Sequence, residues 1–183
     1  MDGAHKQVYI LSNFSQYLKS FSPIIVVSEQ INMLKRAGYE PVLFTSQGWD
    51  APENTVFGSV RTIRLYQPII GGTTVDEAFE NEVDILYKEI NEALTDDSVV
   101  LTHDLIFLPD YVKFNMACRR IAKERPSIQW LHMIHSATSP GTLIQERAMF
   151  GEQYSKNLNE KFPNSAVMFP NSYDCLLYTS RCV

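Results

Sequence analysis

Long apolar runs are absent: no stretch of the 183 residues approaches the roughly 20 uninterrupted hydrophobic positions that a membrane-spanning helix needs. The start, Met1 to Lys6, leads straight into a strand-like run without the apolar core of a secretory signal. We therefore expect a soluble, cytoplasmic protein. Excess positive charge is also absent. Sixteen Lys and Arg face 21 Asp and Glu, a formal net charge of −5, so the long-range field repels a polyphosphate and argues against a nucleic-acid partner. Cysteine is scarce, and Cys118, Cys175 and Cys182 match neither a disulfide framework nor a zinc pattern, which fits a reducing compartment. Glycine numbers only eight. None builds a G-x-G-x-x-G fingerprint, a G-x-x-x-x-G-K-[ST] loop or a G-x-S-x-G elbow, so dinucleotide-binding, P-loop and common serine-hydrolase chemistry lack their motifs. Gly71-Gly72-Thr73-Thr74 resembles part of a phosphate cradle but has neither the lysine nor the spacing, and reads as a turn and helix cap.

What is present is a chain 45% hydrophobic, 20% charged and 11% aromatic, enough to fill one well-packed domain. Lys6 to Ser12 (KQVYILS) reads as a buried strand. Ser22 then caps a helix with Pro23 at its first position, Ile24, Val27, Ile31 and Leu34 on one stripe, and Gly38 as its stop. Pro41 to Thr45 is a second strand, which makes a βαβ unit with a right-handed crossover. Val60 to Tyr66 is a third strand, followed by a loop over 67–74 and a long amphipathic helix from Val75 to Leu94. Ser98 to Thr102 is a fourth strand, Asp110 to Glu124 a helix stopped by Arg125-Pro126, and Ile128 to Ile134 a fifth strand. A helical stretch from about Thr142 to Lys161 and a short strand, Ala166 to Phe169, complete the series. Strict alternation of this kind predicts an α/β, Rossmann-like, doubly wound and mainly parallel sheet with helices on both faces.

Ligands of such sheets bind outside the carboxyl ends of the strands. The positions there are Asn13 to Phe21 after strand one, Ser46 to Trp49 after two, His103-Asp104 after four, His135-Ser136 after five and Asn171-Ser172 after six. His132 and His135 are three apart on a strand and point to opposite faces, so they are not read as a metal pair, and no metal site is expected. His132 reads as a core histidine. His135, at the strand end, is the candidate for chemistry, as a proton donor or acceptor or as a positioner of a hydroxyl, the alternative being a structural hydrogen bond to the following loop. His103 and Asp104 are adjacent and point apart, so they form no dyad, and Asp104 reads as a cap of the following turn. Cys118 reads as a buried structural thiol.

Four segments in order carry a resemblance: LKRAGYEPVLFTS (Leu34 to Ser46), VVLTHD (Val99 to Asp104), IQWLHMIHS (Ile128 to Ser136) and VMFPNS (Val167 to Ser172). Together they resemble the N-terminal half of a GT-B glycosyltransferase, closest to the glycosyltransferase family 4 type, over nearly all of Gln7 to Asp174. Tyr39 stands where the family has His, and the glycine pair after strand one is replaced by Asn13 to Pro23 without a glycine. The resemblance implies sugar transfer from a nucleotide-sugar donor, used as substrate with no resident cofactor or metal, to a sugar or other hydroxyl acceptor. It implies acceptor binding in this half and donor contacts in a C-terminal domain. By position His135 matches the family's histidine near the reacting sugar, while Asn13, Ser22, His103, Asp104 and Ser136 match residues that line the cleft. Ser22-Pro23 would offer helix N–H groups to an anion. Two other readings share the half-fold. One is a stand-alone Rossmann-like module that binds a sugar or nucleotide. The other is the first half of a GT-B-type nucleotide-sugar epimerase, which would need acidic groups after strands four and five, where only Asp104 is available.

The nine residues from Cys175 to Val183 follow no strand or helix period. They can be spelled TGT CTC TTA TAC ACA TCT AGA TGT GTA, which resembles a translated sequencing-adapter junction: a transposon mosaic end joined to its own reverse complement. Residues 1–174 are therefore expected to be the acceptor-side domain, 175–183 a non-native tail, and the donor domain to be missing. The fragment alone is expected to be inactive.

Overall fold

A parallel sheet covered by helices on both faces needs apolar residues at successive strand positions, and this chain supplies them. In the computed structural model, which describes residues 6–69, 75–104, 108–135 and 160–168, six strands form one sheet. They are β1 (Val8–Leu11), β2 (Val42–Ser46), β3 (Arg61–Leu65), β4 (Val99–His103), β5 (Gln129–Met133) and β6 (Ser165–Met168). The spatial order is β3-β2-β1-β4-β5-β6, with every neighbouring pair parallel. The fold is thus α/β, Rossmann-like and doubly wound, and its strand order reverses between β1 and β4. Each strand lies within two residues of its predicted place. The 67–74 loop beyond residue 69, the stretch predicted helical up to residue 159, Ser136, and residues 169–183 with the tail lie outside the described residues.

Three helices are described: α1 (Ser22–Arg36), α2 (Glu77–Ala93) and α3 (Val112–Glu124). Alternation along β1 splits the core in two. Val8 and Ile10 pack with Leu43, Leu101 and the α1 residues Ile24, Val27 and Ile31, whereas Tyr9 and Leu11 pack with Phe44, Val100 and the facing sides of α2 and α3. Trp130, Phe44 and Phe114 are the largest fully buried side chains of the second core.

Helix ends explain most differences from the sequence expectation. Ser22 does not cap α1. Phe21 occupies the cap position without a side-chain bond, and Ser22 is the first helical residue. The predicted stop at Gly38 does hold: its φ of 85° lets the Gly38 and Tyr39 N–H groups return to the carbonyls of Lys35 and Leu34. α2 starts two residues later than the apolar stripe implies because the Asp76 carboxylate accepts the Phe79 N–H at 2.9 Å. Its far end is closed by Tyr9, whose hydroxyl donates to the Ala93 carbonyl, and by Arg125, which donates to the carbonyls of Asn91 and Leu94. A 3-10 turn, Pro109–Tyr111, takes up the start predicted for α3. Among the described residues no helix is long and apolar enough to cross a membrane.

Candidate functional site

The strand order reverses between β1 and β4, so the loops after these strands diverge and leave a crevice at their carboxyl ends. A cleft of about 290 Å³ opens there. One wall is the β1–α1 segment from Ser12 to Pro23. The other carries His103, Asp104, Tyr111 and Gln67. Among the described residues that wall has one carboxylate, Asp104, and no lysine or arginine. A second hollow of about 260 Å³ lies along α3, lined by Met116, Arg119, Arg120, Lys123 and Glu124.

The β1–α1 segment has no glycine, and aromatic packing holds it in place. Phe14 stacks on Trp49 at 5.6 Å, and Tyr17 meets Trp49 and Phe57 edge-on. Polar bonds tie the same segment to β2. Ser46 donates through its backbone to the Phe14 carbonyl and through its hydroxyl to Asn13 Oδ1 at 2.8 Å. Gly48 permits the closest approach, since a Cβ there would lie 2.8 Å from the Ser15 carbonyl oxygen.

Alternation on β4 and β5 sends the four site-edge residues to opposite sides. Thr102 and His132, opposite each other in register, face the α3 side, where Thr102 Oγ1 and His132 Nδ1 are 2.7 Å apart. His103 faces α1. Its Nε2 lies 3.0 Å from Gln30 Oε1, and its Nδ1 lies 2.6 Å from His135 Nε2. His132 and His135 therefore serve different faces of the sheet. The imidazoles of His103, which lines the cleft, and His135 have ring centres 4.9 Å apart and planes only 5° from parallel. With nitrogens at 2.6 Å, rings so placed meet end-on in a common plane rather than face to face. Burial, and next the neighbouring His135, push the His103 imidazole down to about 3, so it is neutral at ordinary pH.

Asp104 sits at a left-handed φ of 57°, a conformation that Asp tolerates better than most residues. The twist joins the ends of two strands, because its N–H donates to the Met133 carbonyl and its Oδ1 accepts the His135 N–H at 2.7 Å. The carboxylate predicted to cap the following turn is therefore bound across the sheet edge to the β5 end, and residues 105–107 lie outside the described residues. Tyr111 faces the cleft with its phenol raised above the usual value, by burial and then by Asp104 and Asp110.

Of the residues anticipated at the site, Asn13, His103 and Asp104 line the cleft and His135 joins it through His103. Ser136 lies outside the described residues. Ser22 is exposed between two lining residues, Phe21 and Pro23. The α1 start is also a poor anion cradle: Pro23 has no N–H, and the Ile24 N–H bonds the Phe21 carbonyl. Gln30, Tyr111 and Gln67 were not anticipated. Gln30 had a legible signal, since it adjoins the buried stripe of Val27 and Ile31 on the helix after β1. No family model, curated protein or solved structure matches the chain.

Proposed function

We propose that this domain is the acceptor-side half of a GT-B-type glycosyltransferase, which moves a sugar from a nucleotide-sugar donor to a hydroxyl acceptor without a metal. The observation that supports this reading most is the character of the cleft. It opens at the switch point of the sheet, and its described wall is polar and apolar with one carboxylate and no cation. A neutral, hydroxyl-rich ligand suits such a wall. A diphosphate does not, because its charge calls for arginine, lysine or free helix N–H groups. The donor diphosphate is accordingly assigned to a second domain. Leu18 and Phe21, each 47% exposed beside the cleft, offer apolar surface for such a domain to cover.

In this assignment Asn13 and Asp104 orient the acceptor, and His135, held by Asp104 through its backbone and by His103 through its ring, meets a hydroxyl at the reacting sugar. Among the described residues no cation lines the cleft to stabilise a leaving diphosphate, so the chain by itself is expected to turn over no nucleotide sugar. Backbone amide NMR spectra of the 183-residue chain test the assignment. Methyl glycosides of glucose, mannose and galactose are expected to shift the signals of Asn13, Phe14, Asp104 and His135, with uridine diphosphate acting more weakly there. A stronger cleft response to uridine diphosphate than to every glycoside, or multiple turnover of a nucleotide sugar by the chain alone, would contradict it.

A further inference from the structure

We infer that Gln30 and His103 are positioning residues that hold His135 in its Nε2–H form, so that its Nδ1 lone pair is the atom a ligand meets. The identity of the ligand as a sugar hydroxyl rests on the function proposed above; the hydrogen-bond chain does not. The chain begins at Met133. A thioether sulfur has no hydrogen to give, so the Gln30 amide nitrogen, 3.0 Å from Met133 Sδ, is the donor of that contact. This orients the amide and turns its oxygen to His103 Nε2 at 3.0 Å. An amide oxygen only accepts, so the proton of the neutral His103 ring sits on Nε2 and leaves Nδ1 as a lone pair. The 2.6 Å contact from His103 Nδ1 to His135 Nε2 then needs its proton on His135. A neutral His135 with Nε2 protonated carries a bare Nδ1, and among the described residues nothing bonds that atom.

Two consequences follow from the same geometry. His103 lines the cleft, yet both of its ring nitrogens are engaged, so it acts on a ligand through His135 rather than by direct contact. A bare Nδ1 accepts from a hydroxyl and has nothing to donate to a phosphate oxygen, so the site selects for hydrogen-bond donors.

Long-range proton–nitrogen correlation spectra of the chain with 15N-labelled histidine, at about pH 8 where free imidazole is neutral, test the inference. Both His103 and His135 are expected as the Nε2–H tautomer. Gln30→Leu removes the acceptor, and both rings are expected to lose their single form, whereas Gln30→Glu supplies an acceptor and keeps Nε2–H on His103. An Nδ1–H signal from either ring in the parent chain, or unchanged tautomers in Gln30→Leu, would overturn it. The parent spectrum decides the matter even if the leucine variant does not fold. Absence of sugar transfer leaves the tautomer result standing, and a reversed tautomer in an active transferase removes this inference alone.

Discussion

Replacing Lys113 with methionine is expected to cost the domain about 3–5 kcal/mol, the usual penalty for stranding one partner of a buried ion pair. Lys113 lies on α3 and Glu82 on α2, only 6% and 8% exposed, and the ammonium bonds the carboxylate across the helix interface. Burial alone would raise the Glu82 carboxyl. Bonds from Lys113, the Ile69 N–H and the Tyr66 hydroxyl outweigh it and hold the group below its ordinary value. Lys113 also donates to the Ile69 carbonyl at 2.9 Å. The pair thus pins residues 66–69, including the cleft residue Gln67, to two helices. Removing the ammonium leaves a buried carboxylate with two neutral donors and frees that segment at one end. The check is urea unfolding of the parent, Lys113→Met and the double variant Glu82→Leu/Lys113→Met. The double variant is expected to recover most of the loss, because an apolar pair carries no stranded charge. A single-variant loss below about 1 kcal/mol, the scale of an exposed pair, would show that the pair is not sealed from water.

Stability is expected to fall steeply as pH drops from 6.5, and the cause is two neutral imidazoles rather than carboxylates. His103 and His132 are 6% and 1% exposed, and burial first, with His135 and Arg119 next, pushes each down to about 3. Between the ordinary value of 6.5 and that level the unfolded chain binds a proton at each site and the folded chain does not. Stability is therefore full above pH 6.5 and is lost as pH falls toward 3. The slope is about 1.4 kcal/mol per pH unit for one such histidine and about 2.7 for both. Across the window from 6.5 to about 3 that slope removes about 9 kcal/mol in all, within the ordinary range of a domain's whole stability. Urea titrations between pH 7 and 5, a window above the ordinary carboxylate range, isolate the effect. His132→Phe is expected to halve the slope whatever it does to absolute stability. A flat profile from pH 7 to 5 would mean that both rings take up protons in the folded state.

Layer and topology were legible because parallel strands need runs such as VYIL and VVLT, and amphipathic helices need stripes such as Phe79, Val83, Leu86 and Ile90. Both signals are local. The strand-end rule likewise brought Asn13, His103 and Asp104 to one cleft. Details that depend on partners far along the chain were not legible. The place of Gln30 beside the buried stripe is legible, but its role is not until β4 and β5 set His103 and Met133 against it, 73 and 103 positions away. The aromatic support of the glycine-free segment arises only when Trp49 and Phe57 fold back on Phe14 and Tyr17. The Lys113–Glu82 pair did leave a trace. Glu82 lies between Phe79 and Leu86 on its stripe, and Lys113 lies four residues before Ala117 on another, so opposite charges occupy buried positions of facing helices. Ser22 was misread because a cap depends on where the helix begins, and Phe21 rather than Ser22 holds that position.

Glycosyl transfer by the natural gene product tests the central claim most directly. Reading the gene outward from the codons for Asn164 to Asp174 and expressing the whole frame gives the protein to assay, with nucleotide sugars and an added hydroxyl acceptor. The frame is expected to run on for about another domain's length. The product is expected to transfer sugar only when acceptor is present, and His135→Ala to lower the rate by about 10²–10⁴-fold, the usual contribution of a positioned acid or base. A frame that ends at Val183 would contradict the claim in favour of a small binding module, and interconversion of nucleotide sugars without any acceptor would contradict it in favour of an epimerase.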